Sequence, residues 1–189
     1  MTEAENAIAD HCWKRRSSLL YKVRLSIVYH LLRERFFDQV DKGIAIITAL
    51  SATSAVASLL GDSEGLGKLA AAFTALLSLI PLVFNPAAVA KRHGELAASF
   101  RKLRAEFERA GEHWSPTTCD EMAAKLIEIE VTEPATLHAL VAHCQNQLNL
   151  GDNGPIVHLT WLQHRLMHFV SFDAATLAAQ SPGSRRKSA

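Results

Sequence analysis

His164 and His168 stand four residues apart in "WLQHRLMH", a spacing that puts both imidazoles on one helical face and suits a metal ion. Between them lie Arg165, Leu166 and Met167, without the glutamate a zinc protease uses as its base, so ordinary part-buried histidines are the expected reading. The octet "GDSEGLGK" (61–68) has the outline of a phosphate loop. Its spacing from Gly61 to Gly67 and Lys68 is one residue too long, Leu69 stands where a metal-binding hydroxyl belongs, and no strand precedes it. His143 and Cys144 are neighbours in sequence and point apart around a helix, which argues against a Cys–His catalytic pair. No nucleophile elbow, paired carboxylates or dinucleotide fingerprint is present. The sequence therefore predicts a protein that is not an enzyme, with no catalytic residue, cofactor or metal.

The remaining polar groups of interest lie inside apolar sequence. In "LAAAFTALLSLIPLVFNPAAVA" (69–90), Thr74, Ser78, Pro81 and Asn85 follow steps of four, three and four and so share one helical face. Thr48, Ser51, Ala55 and Ser58 form a looser small-and-hydroxyl stripe in the preceding apolar run. One reading makes Thr74, Ser78 and Asn85 candidate pore-lining residues, with Pro81 and Pro86 bending the helix. The other is close helix packing, in which small residues let backbones approach and hydroxyls bond across helices. Asn85 is the costliest of the three to place against lipid, and it is expected to face protein or water.

Two runs must position these residues. "GIAIITALSATSAVASLL" (43–60) and residues 69–90 carry no charge, and only a polar, glycine-rich turn separates them. A helix needs roughly 20 apolar residues to cross a bilayer. A helix on the surface of a soluble domain needs a charged face, and neither run has one. The expectation is a transmembrane hairpin; the alternative is a core hairpin wrapped completely by the rest of the chain. Arg24, Arg33, Arg35 and Lys42 precede the first run, and Lys91, Arg92, Arg101, Lys102 and Arg104 follow the second. The turn has Lys68 beside Asp62 and Glu64. The positive-inside rule then predicts a multi-pass inner-membrane protein with both termini cytoplasmic. Three cysteines without paired spacing fit a reducing compartment, and "MTEAENAIADHCWKRR" does not read as a signal peptide.

The flanking sequence reads as helices throughout, so the predicted class is all-α: a two-helix transmembrane hairpin with a cytoplasmic bundle. Residues 1–42 form an amphipathic helix with Leu20, Val23, Ile27, Val28, Leu31 and Leu32 on one side. Residues 43–90 are the hairpin, 91–172 a second cytoplasmic helical region, and 173–189 a basic tail expected to be disordered. Leu96, Phe100, Leu103 and Phe107 make a narrow seam, suited either to a coiled coil or to packing against the first helix. Ser115 followed by Pro116 predicts one helix start, and Thr132 with Pro134 a second, whose helix Gly151 closes. "IVHLTWLQHRLMHFV" (156–170) predicts a last helix. The net charge of +1 in 189 residues selects no class of partner, and no nucleic-acid interface is predicted.

The order of these elements, with "YHLLRERF" before the hairpin, an "FRKL" helix after it and then "EPATLHALVAHCQNQL", resembles the SLATT family of bacterial two-transmembrane proteins, the SMODS- and SLOG-associating effectors. The resemblance covers roughly 21–150 and leaves the last helix and tail unmatched. It implies a pore-forming membrane effector that kills or arrests the cell in an anti-phage or conflict system, when a nucleotide-signalling or sensor partner triggers it. It supplies no catalytic residues. Two helices cannot enclose a channel, so a pore implies a homo-oligomer among membrane lipid. Two other functions stay open: a membrane-anchored adaptor that binds a protein partner, and a soluble all-helical binding protein with the hairpin buried.

Overall fold

The computed structural model describes residues 3–60, 64–150, 156–173 and 177, and among these every regular element is helical. The predicted all-α class holds. The helices are α1 (Glu3–Leu60), α2 (Glu64–Phe84), α3 (Pro86–Arg109), α4 (Pro116–Glu130), α5 (His138–Asn149) and α6 (Trp161–Leu166). The turn at 61–63, the Gly151 stop and nearly all of the basic tail lie outside the described residues. So do the side chains of Ala55 and Ser58. Two compact units emerge: Met1–Leu31 with Glu95–Ala189, and Leu32–Gly94. Their limits fall earlier in α1 and later in α3 than the charge-based boundaries at 42 and 90.

In the first unit, Leu19, Val23 and Ile27 of α1 pack with Phe100, Leu103 and Phe107 of α3 and with Cys119, Met122 and Leu126 of α4. The Leu96-to-Phe107 seam is thus spent inside the chain, which decides between its two readings in favour of packing. The α1 stripe is turned slightly from its expected centre: Leu19 is buried where Leu20 is half-buried, and the stripe extends to a fully buried His30. His30 stacks on Phe100 (5.7 Å, 11°) and its Nε2 pairs with Glu133 Oε1 at 2.8 Å. Beside it, the Leu137 N–H donates to the Tyr29 hydroxyl at 3.2 Å. The segment between α4 and α5 is therefore tied to α1.

Local chemistry sets the helix ends. Ser115 caps α4, accepting from the Thr118 N–H at 3.1 Å, with Pro116 in the first turn, as predicted. Gly111, with a φ of 77°, takes the left-handed turn after α3 that other residues resist. The second predicted start is wrong. Thr132 donates its hydroxyl back to the Ile129 carbonyl at 2.8 Å, and α5 begins at His138 without a side-chain cap. The last helix is also shorter than predicted. Asn146 brackets Val157, its amide donating to the carbonyl (2.7 Å) and accepting from the N–H (2.8 Å), which holds that stretch out of helix. Helix begins at the Thr160–Gln163 capping box.

In the second unit, α1 passes through Gly43 without a break. Phe37 stacks on the buried His93 of α3 (6.2 Å, 2°), and the Arg33 guanidinium lies 4.6 Å over Phe37. The Glu34 carboxylate packs beside Gly94 of α3: a Cβ there would come within 2.8 Å of Glu34 Oε1, which the flexible glutamate side chain could relieve by moving aside.

Candidate functional site

The feature of the second unit that calls for a function is an uncovered apolar helix. Leu69, Phe73, Leu76, Leu79, Ile80, Leu82, Val83 and Phe84 of α2 are all exposed, with Leu82 at 79%. Ile46, Ile47 and Leu50 of α1 are exposed as well. Burying a large apolar side chain stabilises by about 1.5–3 kcal/mol, so the eight α2 residues represent on the order of 10 kcal/mol of unsatisfied burial. Soluble monomers rarely leave a contiguous patch of that size open. Among the described residues one helical stretch, Ala71–Arg109, is long and apolar enough to cross a membrane, and only 6% of its apolar window is buried. The core of a soluble protein would pass the same length test mostly buried; this stretch does not.

The candidate pore-lining residues have specific places on this helix. Thr74 and Ser78 lie one turn apart, opposite Leu69, Leu76, Ile80 and Val83 around the helix. Ser78 Oγ donates to the Thr74 carbonyl at 2.8 Å. On α1, Ser51 and Thr53 bond back in the same way, to Ile47 (2.8 Å) and Ala49 (2.9 Å). These donors are satisfied within their own helices, so an apolar environment leaves none of them stranded. Their presence alone does not demand a water-filled path.

Asn85 stands apart from the other two. It is not within α2 but between α2 and α3, with a φ of 39°. Its Oδ1 accepts from the Ala88 N–H at 3.1 Å, so its side chain caps α3 while Pro86 occupies the first turn. The backbone ladder still passes through it, Asn85 N to the Pro81 carbonyl (3.0 Å) and Val89 N to the Asn85 carbonyl (3.2 Å). The predicted run 69–90 is therefore two helices meeting at a capped joint. Pro81 lies inside α2.

His143 and His164 pack together, and the cysteines are buried. His164 meets His143 edge-on at 5.2 Å, and His143 Nε2 lies 3.1 Å from Gln147 Nε2. Burial first, then the charge of the neighbouring His164, holds the His143 pKa below the ordinary histidine range. Among the described residues no three His, Cys, Asp or Glu side chains converge to hold a metal ion. Cys12, Cys119 and Cys144 are free and buried. Burial pushes the Cys144 thiol up to about 12, and Cys119 is raised by burial and by its contact with Cys12.

Comparison of the chain with protein-family models, curated proteins and solved structures finds no match. Sequence reasoning missed the buried His30 and His93, which anchor the two units. A signal existed for His30, three residues after Ile27 and seven after Val23 on the apolar stripe.

A labelling prediction follows from the thiols. A maleimide should fail to modify the native protein in detergent at pH 7, because the nucleophile is the thiolate and all three sulfurs are buried, and it should modify all three cysteines in denaturant. Labelling of native Cys144 would contradict this packing. Topology must consequently be reported by introduced cysteines and not by the native ones.

Proposed function

We propose that the end of α1 and the apolar part of α2 from Leu69 onward form a membrane-inserted hairpin, that both termini are cytoplasmic, and that the first unit is a cytoplasmic helical bundle. The observation that carries this reading is the exposed apolar surface of α2, which the described residues leave uncovered. Lipid covers such a surface without needing a polar partner, and the self-bonded hydroxyls of Ser51, Thr53 and Ser78 are compatible with that environment. The charge distribution around the runs supports the orientation.

On this reading the protein is a non-enzymatic homo-oligomeric effector that opens a pore when a partner or nucleotide signal acts on the cytoplasmic bundle, killing or arresting a prokaryotic cell under attack. The resemblance of helix order to SLATT effectors supports the conflict-system role. The need for several copies to enclose a path supports the oligomer. Pure anchoring is the second reading. It is favoured by the first unit's own core, which equips that unit to bind a partner while α2 only tethers.

Ser78→Leu separates a lining role from packing and from anchoring. If the Thr74–Ser78 face borders water, a branched apolar side chain there dries the path and stops ion leakage on expression, with assembly in detergent intact. If that face packs against a helix, overfilling costs about 1–3 kcal/mol and assembly falls together with leakage. Leakage unchanged by Ser78→Leu removes this face from the pore, and no leakage from the wild type leaves the anchor.

A further inference from the structure

The first unit exposes two apolar faces of opposite charge. One is the outer side of α4. That helix turns Cys119, Met122 and Leu126 into the core, so Ala124, Ile127 and Val131, at steps of three and four, form an outward strip. Val131 is 79% exposed and Ile127 57%. Glu121 and Glu128, three residues before Ala124 and four after it, border the strip on the same outer side. The one lysine of α4 turns aside: Lys125 Nζ donates to Glu106 Oε2 of α3 at 2.6 Å. The second face surrounds α6. Trp161 (74%) and Leu162 are exposed at its start and Val170 just past its end, while Gln163 and Met167 turn inward. From Ile156 to Phe172 the sequence has no acidic residue. The Arg165 guanidinium lies 5.7 Å over the Trp161 ring, which places a cation on the apolar patch itself. Among the described residues no carboxylate pairs with it.

We infer that the α6 face of one copy docks on the α4 face of the next, a head-to-tail contact between the first units of identical chains. One contact then covers both apolar faces and brings Arg165 to the carboxylates of Glu121 and Glu128. Contacts of like with like are disfavoured, because α4 against α4 opposes carboxylates and α6 against α6 opposes arginines. Trp161 is the anchor, being large, exposed and already stacked with a cation. A head-to-tail contact repeated with a closing rotation makes a ring, and a ring has an axis. This inference rests on the homo-oligomer of the proposed function and not on its pore.

The test uses full chains carrying Ile127→Cys or Leu162→Cys, co-expressed with different tags, purified in detergent and treated with a short bismaleimide. The native thiols are buried and stay out of the reaction. Cross-links are expected between the two variants and not within either alone, and a chain with both substitutions should give a ladder beyond the dimer. Trp161→Ala should weaken association about thirtyfold. Arg165→Glu should weaken it about fivefold, and Glu121→Lys with Glu128→Lys in the same chain should restore it, with helical circular dichroism unchanged. Cross-linking of either single variant with itself, no cross-link in the mixed pair, or failure of the charge exchange overturns the assignment. So does a blue shift of Trp161 emission on anionic vesicles with no cross-link between copies, which would make the α6 face a lipid contact. Light scattering keeps the two readings apart. A chain that assembles in detergent without the Ile127–Leu162 contact defeats this inference alone, and one that stays monomeric defeats the oligomer as well.

Discussion

The expected result of Leu76→Arg is a roughly hundredfold fall in the ratio of membrane-integrated to non-integrated protein. Leu76 is exposed near the middle of the apolar part of α2. Exchanging leucine for arginine at the centre of a spanning helix costs about 3 kcal/mol on insertion scales, which is about two powers of ten in partition. Ile127→Arg is the control. Ile127 is as large and also exposed, but it lies on α4 in the first unit, so its replacement should leave partition unchanged. Equal behaviour of the two variants would show that α2 is not what the bilayer holds.

Phe100→Ala should have the largest effect on the helical core of the first unit. Phe100 is 0% exposed, shares its core with residues of α1, α3 and α4, and is the surface on which His30 stacks. Truncating a buried phenylalanine costs about 3–5 kcal/mol, a large part of the 5–15 kcal/mol by which whole domains are stable. The variant should unfold at markedly lower urea concentration in detergent. It should also lose protection of α4 and of the segment tied to α1 by Glu133 and Leu137. Its membrane partition should be unchanged, because Phe100 belongs to the first unit and α2 to the second. Wild-type urea resistance in Phe100→Ala would contradict the packing described.

These two variants divide the protein along the line between what was legible in sequence and what was not. The helical class and the start of α4 depend on local signals, periodicity and a Ser–Pro cap, and both were readable. The start of α5 was not, because Thr132 and Pro134 imitate a helix start while tertiary partners claim the segment: His30 takes Glu133, and Tyr29 takes the Leu137 N–H. The last helix failed for a related reason. Asn146, eleven residues upstream, satisfies the backbone of Val157 and removes any need for helix there. Asn85 was misplaced although its signal was present. An Asn–Pro pair favours a turn, and asparagine tolerates the left-handed backbone better than most residues. Its apolar surroundings made a continuous spanning helix the more economical reading. The exposed surface of α2 was legible as the lack of a charged face; that nothing in the described chain covers it is visible only in three dimensions.

The central claim is that the bilayer covers α2. Carbonate extraction of membranes, followed by flotation of the pellet on a density gradient, tests it most directly. The predicted result is that the wild-type chain survives carbonate and floats with lipid, whereas Leu76→Arg does not. Recovery of the wild type without detergent as a monodisperse monomer in the soluble fraction would contradict the account.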